Sequence, residues 1–178
     1  MNDLTLTIKR AVRIKLLLMD CDGVLTDGRI WLLEHGDEQK SFNVKDGLGI
    51  TLLHRAGLQS GIISGRSARV VDRRASELGM ELIRQGESNK LRAFSELLEQ
   101  AGLDASRVAF IGDDLTDIPL MQRAELAIAV ADAVPETRTA AHYVTQARGG
   151  DGAVREVVEL ILKAQGRWSE ITRKYLKG

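Results

Sequence analysis

Asp20 and Asp22 lie two residues apart in the stretch LLLMDCDGVLTDG, where an unbroken apolar run, Leu16 to Met19, meets acid and glycine. Side chains two apart on an extended backbone point the same way, so both carboxylates can face one pocket while Cys21 points elsewhere. Two carboxylates at a dry strand end repel each other unless a cation sits between them or one carries a proton. The pair therefore predicts a bound metal combined with acid–base work. Two further polar clusters follow apolar runs, Ser64-Gly65-Arg66 and Gly112-Asp113-Asp114. An oxygen-only ligand set favours a hard cation, and Mg2+ is the expected one. Ser64 would bring a hydroxyl and a strand-end amide to the pocket, and Arg66 a planar fork suited to phosphate or carboxylate. Lys90, at the start of a helix after Gly86, would set a cation against a phosphate. His35, His54 and His142 have no ligand spacing and are expected at the surface or in packing. Trp31 and Phe42 are expected to pack rather than to stack on a ligand.

Bringing these groups to one edge requires a sheet, because open α/β sheets bind ligands outside the carboxyl ends of their strands. Apolar runs bounded by turn residues predict core strands at 14–19, 60–63, 81–83, 107–111, 126–130 and 143–144. Helices are expected over 46–56, over 68–78 with Ser67 as cap, over 89–101 with Ser88 as cap, around Pro119, and over 152–165. Residues 3–12 read as a short helix or an extended arm. The alternation predicts a doubly wound, parallel, Rossmann-like α/β sheet. A β-hairpin interrupts it directly after the acidic motif, with strands at 29–33 and 38–44 around the turn Glu34-His35-Gly36-Asp37. An isolated hairpin is only marginally stable, and Trp31, Leu32 and Leu33 are more apolar than a free ribbon should expose. The hairpin should therefore pack on something, another subunit being one candidate. Residues 166–178 read as a basic tail carrying Arg167, Arg173, Lys174 and Lys177.

The 178 residues, 44% of them hydrophobic, suit a single domain over 1–178. Equal numbers of basic and acidic residues, 25 of each, imply no general field for nucleic acid or a membrane. One Cys excludes an internal disulfide and fits a reducing, cytoplasmic setting. No signal peptide is expected, since the opening MNDLTLTIKRAVRIK lacks a continuous apolar core with a cleavage site. No apolar stretch is long enough to span a bilayer as a helix.

Together these clusters resemble the haloacid dehalogenase superfamily of phosphotransferases. DCDGVLTDG is similar to its first motif, D-x-D-G-[TV]-[LV]-[TS]-D; Ser64 matches its second, Lys90 its third, and GDDLTD (112–117) its fourth, over roughly residues 14–163. A narrower likeness is carried by VLTDGRIWL, KSFNVKDGLGI, ISGRSARVVDRRASELGM, QGESNKL and GGDGAVREVVELIL. These segments resemble the 3-deoxy-D-manno-octulosonate 8-phosphate (KDO 8-phosphate) phosphatases of lipopolysaccharide precursor synthesis. That family is capless and tetrameric; its hairpins join into a central barrel, and a neighbouring subunit completes each site. The insert between Asp27 and Lys45 is indeed too small for a lid domain, and subunit packing around it would shield the site from water.

The resemblance implies an aspartyl-phosphate formed on Asp20, with Asp22 as acid and then base. It places Mg2+ on Asp20, the backbone carbonyl of Asp22 and Asp113, with Asp114 and Asp117 orienting that shell. Ser64 and Lys90 would hold the phosphoryl oxygens. Contacts to the sugar acid fall on Asn43, Val44, Lys45, Asp46 and Gly47, on Asp22 and Lys90, and on Arg66, Arg74 and Thr51, Arg74 acting across a subunit interface. Thr51 stands where many relatives carry a basic residue. The competing expectations are a phosphatase for a nine-carbon sialic-acid-type substrate such as KDN 9-phosphate, a phospho-receiver domain, and a non-catalytic binding protein. A receiver lacks D-x-D on its first strand and has no counterpart of the hairpin, and a non-catalytic protein need not keep every catalytic position filled.

Overall fold

Four consecutive apolar residues, Leu16–Met19, form strand β1 and are wholly buried, as a strand covered on both faces requires. Residues 4–34, 36 and 38–176 are described by this computed structural model. Helix α1 (Leu4–Ala11) precedes β1, so the open choice at residues 3–12 falls to a helix. The hairpin strands β2 (Trp31–Leu32) and β3 (Glu38–Gln39) follow, then α2 (Val44–Arg55), β4 (Gln59–Ile63), α3 (Arg69–Glu77), β5 (Leu82–Arg84) and α4 (Lys90–Ala101). The chain continues through β6 (Val108–Gly112), α5 (Ile118–Met121), β7 (Leu126–Ala129), α6 (Pro135–Ala140), β8 (Tyr143–Val144), α7 (Ala153–Ala164) and α8 (Trp168–Leu176).

Six strands form one sheet in the order β5-β4-β1-β6-β7-β8, and every neighbouring pair is parallel. The expected doubly wound α/β sheet is present. Strand order reverses at β1, which lies between β4 and β6, and such a switch point opens a crevice at the carboxyl ends. Met19 is in register with Ile62 of β4 and with Ile111 of β6. That register carries Asp20, Ser64 and Asp113 past the ends of three adjacent strands.

Several local expectations need correction. The hairpin's paired strands are two residues each, and residues 40–43 connect them to a helix that begins at Val44. Asn43 caps that helix, its Oδ1 accepting from Lys45 N–H at 2.8 Å. Ser67 does not cap α3: the N-cap is Ala68, without a side-chain bond, and its N–H donates to Gln85 Oε1 at 3.0 Å. Asn89, not Ser88, caps α4, accepting from Arg92 N–H. The basic tail is helical through Leu176. Trp168 sits beneath Arg155 and Lys163, and Tyr175 Oη accepts from Arg55 at 2.7 Å. His35 and Asp37 of the predicted turn, and Lys177 of the tail, lie outside the described residues.

Asp46 has a structural task. It is 1% exposed, and its carboxylate accepts from the Gly152 and Arg155 N–H groups at 3.2 and 2.7 Å, capping α7 from α2. A charge-assisted cap of this kind satisfies two orphan donors of the helix and pins two packed helices together. Asp46→Ala is expected to lower the unfolding free energy by about 2 kcal/mol, read as a reduced urea midpoint at unchanged slope.

Candidate active site

The strand ends supply the site's acids one by one. Asp20 follows β1 directly, and its N–H donates to Ile111 O of β6 at 3.0 Å, so the backbone leaves the sheet only beyond this residue. The chain then winds tightly, with the N–H groups of Val24, Leu25 and Thr26 all directed at Cys21 O. Gly23 makes that turn with φ +96, and a Cβ there would run into the Asp113 carboxylate. Both facts demand glycine. After β6, Asp114 caps a 3-10 turn (Leu115–Asp117) by accepting from Leu115 N–H at 2.7 Å. That turn swings Asp117 back under the strand ends.

Asp117 is completely buried. One of its oxygens accepts from Lys90 Nζ at 2.8 Å, and the other accepts from the N–H groups of Asp113 and Asp114 at 3.0 and 3.4 Å. Lys90 Nζ also stands 3.0 Å from Asp20 Oδ1. Burial pulls the Lys90 pKa down, but the charges of Asp20 and Asp117 outweigh it and hold the ammonium above the ordinary lysine value. Burial and the Asp117 charge push the Asp20 carboxyl up to about 6, opposed by Lys90. Burial, then Asp20 and Asp117, push Asp113 up to about 8. Burial also drives the Cys21 thiol far above its usual range, which leaves it inert as a nucleophile.

Oxygens of Asp20, Asp113 and Asp117 lie within 4.8 Å of one another. Asp113 Oδ1 is buried without a partner, and Asp20 Oδ1 meets only the Lys90 ammonium. Two raised carboxyls, one with an orphaned buried oxygen, converging through oxygen alone, fit a hard divalent cation. Asp117 has both oxygens engaged by Lys90 and by backbone amides, which suits it to supporting its neighbours. The Asp22 carboxylate stands outside this trio.

A cavity of about 760 Å³ opens over these groups, lined by Asp20, Asp22, Ser64, Arg66, Lys90 and Asp113, with Asp114 and Thr116 at its edge. Ser64 Oγ accepts from Arg66 N–H at 3.2 Å, fixing the hydroxyl at the end of β4. The predicted acids, Ser64, Lys90 and Arg66 thus meet in one place. Asn43, Val44, Lys45, Asp46, Gly47, Thr51 and Arg74 do not line this cavity. Val44 is exposed, Thr51 Oγ1 donates to Gly47 O at 3.0 Å, and Arg74 lies against Gly47 with its guanidinium 6.0 Å from the Phe42 ring. His54 Nε2 and Ser60 Oγ form a hydrogen bond, and His142 Nδ1 accepts from Ala127 N–H, so both act in packing.

Two residues escaped the sequence reading. Lys40 is buried and paired with Asp22 and with Glu38, and Glu38 is paired in turn with Arg66. The available signal was period-2 alternation, which puts residues 38 and 40 on one face of the returning strand.

Residues 74–157 match the family described as haloacid dehalogenase-like hydrolase. The chain is 48% identical to the 3-deoxy-D-manno-octulosonate 8-phosphate phosphatase of Escherichia coli (strain K12) over 163 residues, 92% of this chain and 87% of that protein. The chain belongs to the KDO 8-phosphate phosphatase family. Solved KDO 8-phosphate phosphatases superpose closely on it. The Moraxella catarrhalis enzyme, crystallised with a magnesium ion, a phosphate ion and a KDO molecule, gives a TM-score of 0.92 at 44% identity, covering 95% of this chain and 97% of that one. The cobalt-bound Haemophilus influenzae enzyme gives 0.90 at 39% identity, covering 94% and 99%. This chain thus shares the fold of these phosphatases, and its hairpin forms a two-stranded ribbon apart from the main sheet.

Proposed function

We propose that this protein is a Mg2+-dependent phosphatase that hydrolyses KDO 8-phosphate to KDO and inorganic phosphate in lipopolysaccharide precursor synthesis. The observation that carries this reading is the convergence of Asp20, Asp113 and Lys90 at adjacent strand ends, in a chain nearly half identical to KDO 8-phosphate phosphatases. Asp20 attacks phosphorus in line; its oxygen–phosphorus bond forms as the bond to the sugar C8 oxygen breaks, leaving an aspartyl-phosphate. Asp22 gives a proton to the departing alkoxide, then takes one from the water that cleaves the intermediate. Lys90 and Ser64 hold the phosphoryl oxygens as charge moves onto them. Asp20, Asp113 and the Asp22 carbonyl would hold Mg2+, which neutralises charge on the transferring group when bound.

Arg66, at the cavity mouth, suits the anionic sugar acid as a planar fork. The sugar contacts expected at Asn43, Val44, Lys45, Gly47 and Thr51 lie outside the cavity of one subunit, and Arg74 would reach the sugar across a subunit interface, while Asp46 keeps both carboxylate oxygens on α7. Trp31, at 62% exposed, and Leu32, at 77%, support a hairpin that joins subunits into a homotetramer. A cytoplasmic location goes with the single, free Cys21. No helix of the described residues is long and apolar enough to cross a membrane.

Phosphate release measured across sugar phosphates, with Mg2+ and with EDTA, tests the reading. The highest kcat/KM is expected for KDO 8-phosphate, with turnover abolished by EDTA and restored by Mg2+. A preference for a nine-carbon sugar acid phosphate would overturn the substrate assignment, and turnover indifferent to EDTA the mechanism.

A further inference from the structure

We propose that Lys40, delivered by the hairpin, is the positioning residue that aims Asp22 for proton transfer. The inference rests on Asp22 being the proton donor.

The Lys40 side chain is only 1% exposed. Lysine is almost never buried unless its charge is paired, because an ammonium taken from water without a partner is costly. Lys40 has two acidic partners, Asp22 and Glu38, the latter at 3.4 Å. Lys40 does not line the active cavity, whereas Asp22 does. It therefore reaches the chemistry through Asp22 and not through the substrate. Its Nζ engages Asp22 Oδ1, so Oδ2 is the oxygen left to exchange a proton with the leaving group. A carboxylate on a turn outside the sheet can otherwise rotate, and a proton donor must be held within a narrow range of angle and reach.

The rest of the ribbon explains how Lys40 is itself held. Glu38, two residues earlier on the same face, binds Lys40 with one oxygen and Arg66 with the other. The order Asp22–Lys40–Glu38–Arg66 alternates in charge from the proton donor to the cavity rim. Lys90 stands elsewhere, between Asp20 and Asp117. Seating of the hairpin and aim of the proton donor are thus one event.

The readout is the dependence of kcat/KM on leaving-group acidity across a series of aryl phosphates, from p-nitrophenyl to phenyl phosphate. These esters have nearly the same shape and differ in how much they need a proton, and kcat/KM stops short of the second, hydrolytic step. The slope is a ratio within one preparation, so a partly unfolded sample does not alter it. In Lys40→Met, kcat/KM for phenyl phosphate is expected to fall about 10–100-fold further than for p-nitrophenyl phosphate, steepening the slope toward that of Asp22→Asn. Lys40→Arg should recover part of the loss, and Glu38→Gln, which loosens Lys40 without removing it, should steepen the slope less. A slope unchanged in both Lys40→Met and Glu38→Gln, alongside a steep one in Asp22→Asn, overturns the role of Lys40 alone. A slope unchanged in Asp22→Asn overturns the proton-donor assignment, and the role of Lys40 falls with it.

Discussion

Asp20→Asn should leave a folded protein whose phosphate release is lower by about 10⁴-fold or more, the scale seen when a covalent nucleophile is removed. An amide cannot form the acyl phosphate, and no other group replaces it: Cys21 is buried with its thiol held far above the usual range, and both Asp117 oxygens are engaged by Lys90 and by backbone amides. The substitution should not unfold the chain. Lys90 keeps Asp117 at 2.8 Å, and the Asp20 backbone still bonds Ile111 across the sheet. Burial and the Asp117 charge already push the Asp20 carboxyl up to about 6, so its ionisation is a cost to the metal-free fold at neutral pH. Asn removes that cost. The expected pair of results is a collapsed rate with an equal or higher melting temperature in EDTA. Turnover above about one per cent of native would mean that another group attacks phosphorus.

The metal-free protein should lose stability as the pH rises, and Mg2+ should restore it most at the alkaline end. Asp20 and Asp113 ionise near 3.8 in an unfolded chain but near 6 and 8 in the fold. Below the lower value both states hold the protons and the fold bears no penalty. Between the two values the folded state binds more protons than the unfolded one, so stability falls with rising pH. The window runs from about 4 to about 8, the upper half belonging to Asp113. A divalent cation binds the ionised carboxylates, so its affinity, and the stability linked to it, grows over the same range. The difference in melting temperature between Mg2+-loaded and EDTA-treated protein should widen steadily from pH 5 to pH 8. A difference that stays flat, or one equally large in Asp113→Asn, would contradict a cation held by these carboxylates.

What the linear chain determined was local and periodic. Leu16–Met19 is apolar without alternation, which only a strand buried on both faces tolerates, and Asp20 and Asp22 follow at the spacing that puts them on one side. Ser64-Gly65-Arg66 and Gly112-Asp113-Asp114 end their own strands in the same manner, so one parallel sheet sufficed to bring them to a common edge. The caps were less legible. Serine stands before both α3 and α4, yet the N-caps are Ala68, whose N–H goes to Gln85, and Asn89, whose side chain takes the Arg92 N–H. Asp46 reads as a helix-start acid in α2, but its carboxylate serves α7, more than a hundred residues away. The tail folds as α8 because Trp168 and Tyr175 find partners on α7 and α2. Charge pairing across the fold was decided by tertiary structure alone. Lys40 and Asp22 are separated by 18 residues, and Lys90 and Asp117 by 27. A buried ion pair depends on which oppositely charged groups the packed elements bring within a few ångströms, and no local periodicity encodes that distance.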